Sequence, residues 1–219
     1  MKKIIVLLLI VTMMLGCLAC GRGPEQDSQT PSNSQTENSQ TPDGSQETEN
    51  STETEAPSQT KPEITDAKEI LDKAWAKYQD NEKFAAVGGH YNSYTDGAPA
   101  KYDITQVADI EAVFCIPTEV VAMFDDVASL QHGMNVNNFS AMACHLKEGA
   151  DMQAIVEAIK NKTVSNQWIC GHPDRLVIIT IGEEYLVTAF GNGEIVDNFR
   201  SKVLGLYNNL PEVVVDQDL

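Results

Sequence analysis

Two closely spaced pairs of a cysteine and a histidine are the residues whose types could support chemistry. Cys144 and His145 are adjacent, and a single glycine separates Cys170 from His172. Thiolate sulfur and imidazole nitrogen are common zinc ligands, so four of them could close a tetrahedral site. The spacing argues against such a site, because adjacent strand residues point to opposite faces and neither pair matches the usual C-x2-C or H-x3-H pattern. We therefore predict no metal and no cofactor here.

The thiols have other interpretations. A disulfide between Cys144 and Cys170 would suit an exported chain, and it would leave Cys115 unpaired. The pattern favours a simpler interpretation, in which Cys115 and Cys144 are small buried apolar residues and Cys170 lies in a loop. A catalytic thiol would need a base that a third group orients, and no motif supplies one. An extracytoplasmic thiol- or metal-dependent enzyme centred on Cys170 and His172 is thus the alternative hypothesis.

Aromatic residues are the other candidates for a functional role. His90, Tyr91, Tyr94 and Tyr102 fall in the stretch 85–103, which has no sustained hydrophobic period and reads as a loop with a short extended piece. Amphipathic rings give contact area at small entropic cost, so these four residues could line a binding surface. They could equally cover one face of a sheet, and the sequence does not separate the two interpretations.

The charge of the chain excludes one class of partner. It has 15 basic and 32 acidic side chains, a formal charge of -17. Phosphate contacts require a footprint of Lys and Arg, and no basic block occurs beyond the first residues, so we expect no nucleic-acid partner. The segment 62–219 alone carries 11 basic and 24 acidic side chains, a charge of -13.

Residues 1–20 are typical of a bacterial export signal peptide. Two lysines precede an apolar run of about a dozen residues, which is shorter than a bilayer-spanning helix. The residues 13–17, Met-Met-Leu-Gly-Cys, resemble the lipobox of bacterial lipoproteins, whose cysteine receives acyl chains such as palmitate and becomes the mature N-terminus. We favour Cys17 over Cys20 as the lipidated residue, because Cys20 has a cysteine where the lipobox has an aliphatic residue.

Residues 21–61 are predicted to be a disordered acidic tether. Of these 41 residues, 38 are Ser, Thr, Gln, Asn, Pro, Gly, Asp or Glu, and the segment carries eight acids against two bases. Such a composition cannot bury enough apolar surface to fold. A flexible chain of this length has an end-to-end distance on the order of 35 Å. Only residues 62–219 are left to build a domain, and we expect one.

The hydrophobic pattern of this domain predicts its elements. Asp66 caps a helix whose apolar stripe runs from Ala67 to Tyr78, and Asp151 caps a later helix. Further segments are a helix at 105–114, a helix at 118–130, a strand at 139–146, a hairpin at 175–190 and a last helix from about 193. This order, helices followed by β-α-β-β-α, predicts an α+β fold in which helices pack on one face of a small, mostly antiparallel sheet.

A family resemblance accompanies this order of elements. It rests on Asn137-Asn138-Phe139, Lys147-Glu148-Gly149, Gln167-Trp168, Pro173-Asp174 and Ala189-Phe190-Gly191. With these features the chain resembles a set of lipoproteins from Firmicutes, mostly clostridial, which carry a lipidated cysteine, a Ser/Thr/Glu-rich spacer and one small C-terminal domain of unknown function. The resemblance spans roughly residues 105–207. It implies a cellular location and a domain architecture, but no activity.

Taken together, the sequence predicts a lipoprotein anchored to the extracytoplasmic face of the cell membrane. Its partners would be the membrane, through the N-terminal lipid, and an envelope protein or a cell-wall component. No coherent catalytic set is visible, so we expect a non-catalytic binding or interaction module.

Overall fold

The computed structural model describes residues 63–134, 138–169 and 171–219. The predicted signal peptide, with Cys17 and Cys20, and the predicted tether at 21–61 lie outside these residues, and so does Cys170. The helices are α1 (Ala67–Ala76), α2 (Val107–Phe114), α3 (Thr118–Val121), α4 (Met152–Ser165) and α5 (Gly193–Leu204). The strands are β1 (Ala86–Gly88), β2 (Thr95–Asp96), β3 (Ala100–Lys101), β4 (Phe124–His132), β5 (Phe139–Leu146), β6 (Arg175–Ile181), β7 (Tyr185–Gly191) and β8 (Pro211–Asp218).

The strands form one open antiparallel sheet, which confirms the predicted α+β class. Its order is β2-β1-β4-β5-β7-β6-β8, and β3 pairs with β4 beside β1. The hairpin of β6 and β7 forms as predicted, and β5 has the predicted bounds. Because β5 pairs with β4 on one side and β7 on the other, it lies in the interior of the sheet.

Helices cover both faces of the sheet, and the prediction of a single covered face is wrong. On one face α1 and α5 pack over alternate strand residues such as Ala141 and Val177. On the other face α2, α3 and α4 pack over the strand residues that alternate with these, such as Met142 and Ile178. The reason is that the interior strands are apolar at consecutive positions, so each face needs its own cover.

Helix caps are the best-predicted local features. The side chain of Asp66 accepts a hydrogen bond from the backbone N–H of Glu69 at 2.8 Å, and Asp151 accepts one from Ala154 at 3.0 Å. Each bond satisfies a backbone donor that a helix N-terminus leaves without an intrahelical partner.

The predicted third helix at 118–130 is wrong. The helix α3 ends at Val121, and the chain then enters the nine-residue strand β4. Val127, Ala128, Ser129 and Leu130 are all buried in succession, so this strand lacks the alternation that would have identified it.

An ionic cluster fixes the start of α1 against the sheet. The carboxylate of Asp126 in β4 accepts a hydrogen bond from the backbone N–H of Ala67 at 2.8 Å. The amino group of Lys101 in β3 lies 2.8 Å from Asp126 and 3.3 Å from Asp66. These contacts hold α1, β3 and β4 together at one edge of the sheet.

The opposite edge is formed by β8, which the sequence pattern did not reveal. Arg175 in β6 forms ion pairs with Asp216 and Asp218 of β8 and with Asp197 of α5. Acidic side chains along an edge strand discourage pairing with another chain. Within the described ranges, none of the helices combines the length and the apolar character needed to cross a bilayer.

Substitution of Ile159 tests the second helical layer. Ile159 of α4 is fully buried, whereas Glu157 of the same helix is exposed. We expect Ile159→Ala to lower the free energy of unfolding by about 2–5 kcal/mol, because it leaves a cavity between α4 and the sheet. Glu157→Ala should change it by about 0.5 kcal/mol or less. Urea denaturation of the full chain measures both, and equal effects would mean that α4 does not pack on the sheet.

Candidate functional site

A surface groove of about 530 Å³ lies beside the short strands at the β1 edge of the sheet. Its floor includes Val87 of β1 and Gln131 of β4, which are paired across the two strands. Val113 of α2 lines it from the helical layer, and the segment 89–96 closes the remaining side. Alternate residues of a strand point to the same face, so Gln131 lies on the same face of β4 as buried Val127. The groove therefore opens on the face that α2 covers only in part.

Three of the four aromatic residues predicted to bind a ligand meet in this groove, which we call the tyrosine groove. Tyr91 and Tyr94 are 70% and 60% exposed, and both line it. Tyr102 also lines it but is 7% exposed. Two large rings therefore stand at the surface beside a third that is set into the wall. His90 does not line the groove and is buried behind it.

A row of ring contacts connects the groove to the core. Phe114 is fully buried and meets Tyr102 edge to face, with centroids 5.4 Å apart. Tyr102 meets His90 in the same way at 5.5 Å, and His90 contacts Tyr91 at 4.1 Å. Edge-to-face and tilted contacts at these separations are favourable. The exposed ring of Tyr91 is thus supported from below by buried rings.

Both ring nitrogens of His90 are engaged in hydrogen bonds. The backbone N–H of Asn92 donates to Nδ1 at 3.4 Å, which leaves Nε2 to donate to the carboxylate of Asp109 at 2.9 Å. A histidine in this arrangement has no free nitrogen with which to accept a proton from a substrate. The pair of His90 and Asp109 therefore holds Tyr91 and Tyr102 in place.

Backbone contacts anchor the segment that carries Tyr91 and Tyr94. The N–H of Gly89 donates to the hydroxyl of buried Ser129 at 2.9 Å, and the indole of Trp75 donates to the carbonyl of Gly97 at 3.0 Å. Gly88 is required here, because a Cβ at this position would lie 2.3 Å from the backbone nitrogen of Ala100. The groove is consequently built into the fold at both ends of the segment.

The electrostatic character of the groove is negative. Asp96 lines it, and across the described residues its carboxylate forms neither an ion pair nor a hydrogen bond. No Lys, Arg or His is among the described residues that line it. Burial, with further contributions from the negative charges of Asp109 and Asp103, raises the pKa of Tyr102 to about 12. The phenol in the wall therefore stays neutral and can donate a hydrogen bond at neutral pH.

Cys144 and His145 lie on opposite faces of the sheet, as expected for adjacent strand residues, and Cys170 lies outside the described residues. Cys144 is fully buried in the core under α4, and burial raises the pKa of its thiol well above the ordinary value. His145 points to the other face, where it contacts Tyr185. Cys115 and Cys144 are free thiols, and the exposed His172 donates from Nδ1 to the carbonyl of Pro173. Across the described ranges, no three His, Cys, Asp or Glu side chains could hold one metal ion.

A second His–Asp pair, His145 and Asp125, lies at the C-terminal end of β5. His145 contacts the carboxylate of Asp125 through Nδ1 and lines a cavity of about 570 Å³. Among the described residues lining that cavity, no Ser, Thr or Cys stands beside the ring as a nucleophile. Lys147, which also lines it, donates to the carbonyl of Ala122. The described lining of the cavity therefore holds an oriented histidine but no hydroxyl or thiol nucleophile for covalent catalysis.

Sequence reasoning missed several residues of the groove. Gln131 lies at the end of β4, most of which the sequence pattern predicts as a helix, so its place beside Val87 could not be anticipated. Asp109 is 19 positions from His90, and no motif links them. Asp96 did carry a signal, since it follows Tyr94 by two positions and is the single acidic residue between Glu82 and Asp103.

Comparison with protein families, curated proteins and solved structures finds no match to this chain. The geometry of the tyrosine groove is accordingly the basis for the functional argument. The similarity to clostridial lipoproteins stays a prediction from the sequence.

Proposed function

We propose that this protein is a lipid-anchored, extracytoplasmic binding module whose tyrosine groove takes a small ligand. The observation that carries the proposal is the exposure of Tyr91 and Tyr94 over a groove of about 530 Å³. Ligand sites in proteins have volumes in the range of about 300–1,000 Å³ and combine apolar walls with a few polar groups. The polar groups in this groove are the side chains of Asp96 and Gln131 and the tyrosine hydroxyls.

Support for a preformed site comes from the way the rings are held. Binding costs less when the contacting side chains are already ordered, because less conformational entropy is lost. Tyr91 rests on buried His90, and His90 is fixed by Asp109 and by the backbone of Asn92. The proposal is therefore supported by an exposed ring, Tyr91, that packs on a histidine held by two hydrogen bonds.

The anchoring part of the proposal rests on the sequence. A single acyl chain gives marginal membrane residence, whereas the diacylglyceryl group of a lipoprotein supplies at least two chains. The tether at 21–61 would then let the domain sample a shell on the order of 35 Å from the membrane surface. Its charge of -6 and the -13 of residues 62–219 both oppose contact with anionic lipid, so the domain would be held off an anionic membrane surface.

Ligand binding at the groove is tested by nuclear magnetic resonance on the full chain in detergent. We would titrate choline, 3,3-dimethylbutan-1-ol and methyl glucoside and follow the backbone amides of Gly89, Gly97 and Gly133. At least one probe should shift these amides, and Tyr91→Ala combined with Tyr94→Ala should weaken its binding about tenfold or more, because stacking area is lost.

The matched control is Val164→Ala, which removes an exposed apolar side chain from α4 outside the groove. Its binding should equal that of the parent chain. If none of the probes shifts the groove amides, or if the tyrosine variant binds as the parent does, the proposed function is wrong.

Lipidation is tested by replacing the two candidate cysteines separately in a bacterial host. We expect Cys17→Ala to abolish incorporation of labelled palmitate and to move the protein from the membrane to the soluble fraction, because the acylated residue is gone. Cys20→Ala is the matched control and should be labelled like the parent chain. Labelling lost only in Cys20→Ala would assign the anchor to Cys20, and labelling kept when both cysteines are replaced would contradict a lipoprotein.

A further inference from the structure

We propose that the ligand of the tyrosine groove carries an ammonium group, so that the site recognises small organic cations. This inference rests on the proposed function, and it goes further by assigning the chemical class of the ligand. It follows from two independent features, the charge of the groove and the exposed aromatic rings that line it.

The charge of the groove is unbalanced in favour of a cation. Asp96 contributes a carboxylate that pairs with none of the basic groups in the described chain. Lys101, the basic residue nearest to Asp96 in the sequence, is paired with Asp126 and Asp66 at 2.8 and 3.3 Å. A cationic ligand would supply the missing counter-charge, whereas an anionic ligand would meet a carboxylate with no cation to offset it.

The nearby carboxylates act in the same direction. Asp109 and Asp103 both lie close enough to the phenol of Tyr102 for their charges to raise its pKa, after the larger effect of burial. Asp103 is held by hydrogen bonds from Thr105, and Asp109 by His90, so neither charge has a Lys or Arg partner in the described ranges. The potential at this wall of the groove is negative.

The rings supply the second feature. The face of an aromatic ring is the negative part of its quadrupole, and it attracts an ammonium group within about 6 Å of the centroid. Tyr91 and Tyr94 line one groove with much of their surface exposed, and the uncompensated Asp96 lines it with them. Aromatic rings are the groups that recognise quaternary ammonium ligands, and Asp96 adds a negative charge to the same groove.

The apolar lining of the groove favours an organic cation over a metal ion. Val87 and Val113 contribute apolar surface, which can bury the methyl or methylene groups that surround an ammonium nitrogen. Asp96 is the single carboxylate among the described lining residues, and a divalent metal needs more oxygen ligands than this. Choline, with three methyl groups on its nitrogen, is a probe of this class.

The test compares three probes of the same shape and different charge on the full chain in detergent. Choline is cationic, 3,3-dimethylbutan-1-ol is its neutral counterpart, and 3,3-dimethylbutanoate is the anion. We expect choline to bind about tenfold more tightly than the neutral alcohol, with the anion the weakest. Dissociation constants come from the shifts of the Gly89, Gly97 and Gly133 amides.

A charge-removing variant separates the contribution of Asp96 from that of the rings. Asp96→Asn should weaken choline binding about threefold and leave the neutral alcohol unchanged. Asp80→Asn is the control, because it removes the same charge from a fully exposed residue outside the groove.

Each outcome decides one of the two proposals. Equal affinity for choline and the alcohol, or tighter binding of the alcohol or the anion, overturns the cation inference and leaves a binding groove in place. Equal loss of choline affinity in Asp96→Asn and Asp80→Asn also overturns it, because the effect would then come from the overall charge. If all three probes and methyl glucoside fail to shift the groove amides, the proposed function itself fails.

Discussion

The burial of the interior strands on both faces is the constraint on which the rest of the structure depends. Every residue of β7 is buried, and β5 and β6 are buried over most of their length. A sheet that is apolar on both sides must be covered on both sides, so α1 and α5 occupy one face and α2, α3 and α4 the other. The cover is incomplete beyond β4, where the short strands β1, β2 and β3 extend the edge. The tyrosine groove lies where the helical cover ends.

The groove combines surface exposure with support from the core. Phe114, Tyr102 and His90 lead outward in a row of ring contacts, and Tyr91 rests on the last of them. A loop without such support would lose much of its conformational entropy on binding. Because His90 uses both ring nitrogens for this support, it has a positioning role.

Local patterns were enough to predict the elements whose apolar residues recur with one clear period. The cap at Asp66 and the bounds of β5 follow from the sequence, because capping chemistry and strand composition act over a few residues. The strand β4 could not be predicted, because residues that are buried at consecutive positions do not show the alternation of apolar and polar residues that identifies a strand. The second helical layer could not be predicted either, because it depends on the pairing of strands that are distant in the sequence. For the same reason the tyrosines were visible as candidates, whereas Gln131 and Asp109 became part of the site only through the fold.

The central claim is that the groove exists before any ligand binds, held by the row of aromatic contacts. Nuclear Overhauser effects between ring protons of the free, full-length chain test it most directly. We predict cross-peaks from Phe114 to Tyr102, from Tyr102 to His90 and from His90 to Tyr91 at neutral pH, with the Tyr91 ring shifted from its random-coil position by the imidazole beneath it. A Tyr91 ring with random-coil shifts and no cross-peak to His90 would contradict a preformed groove.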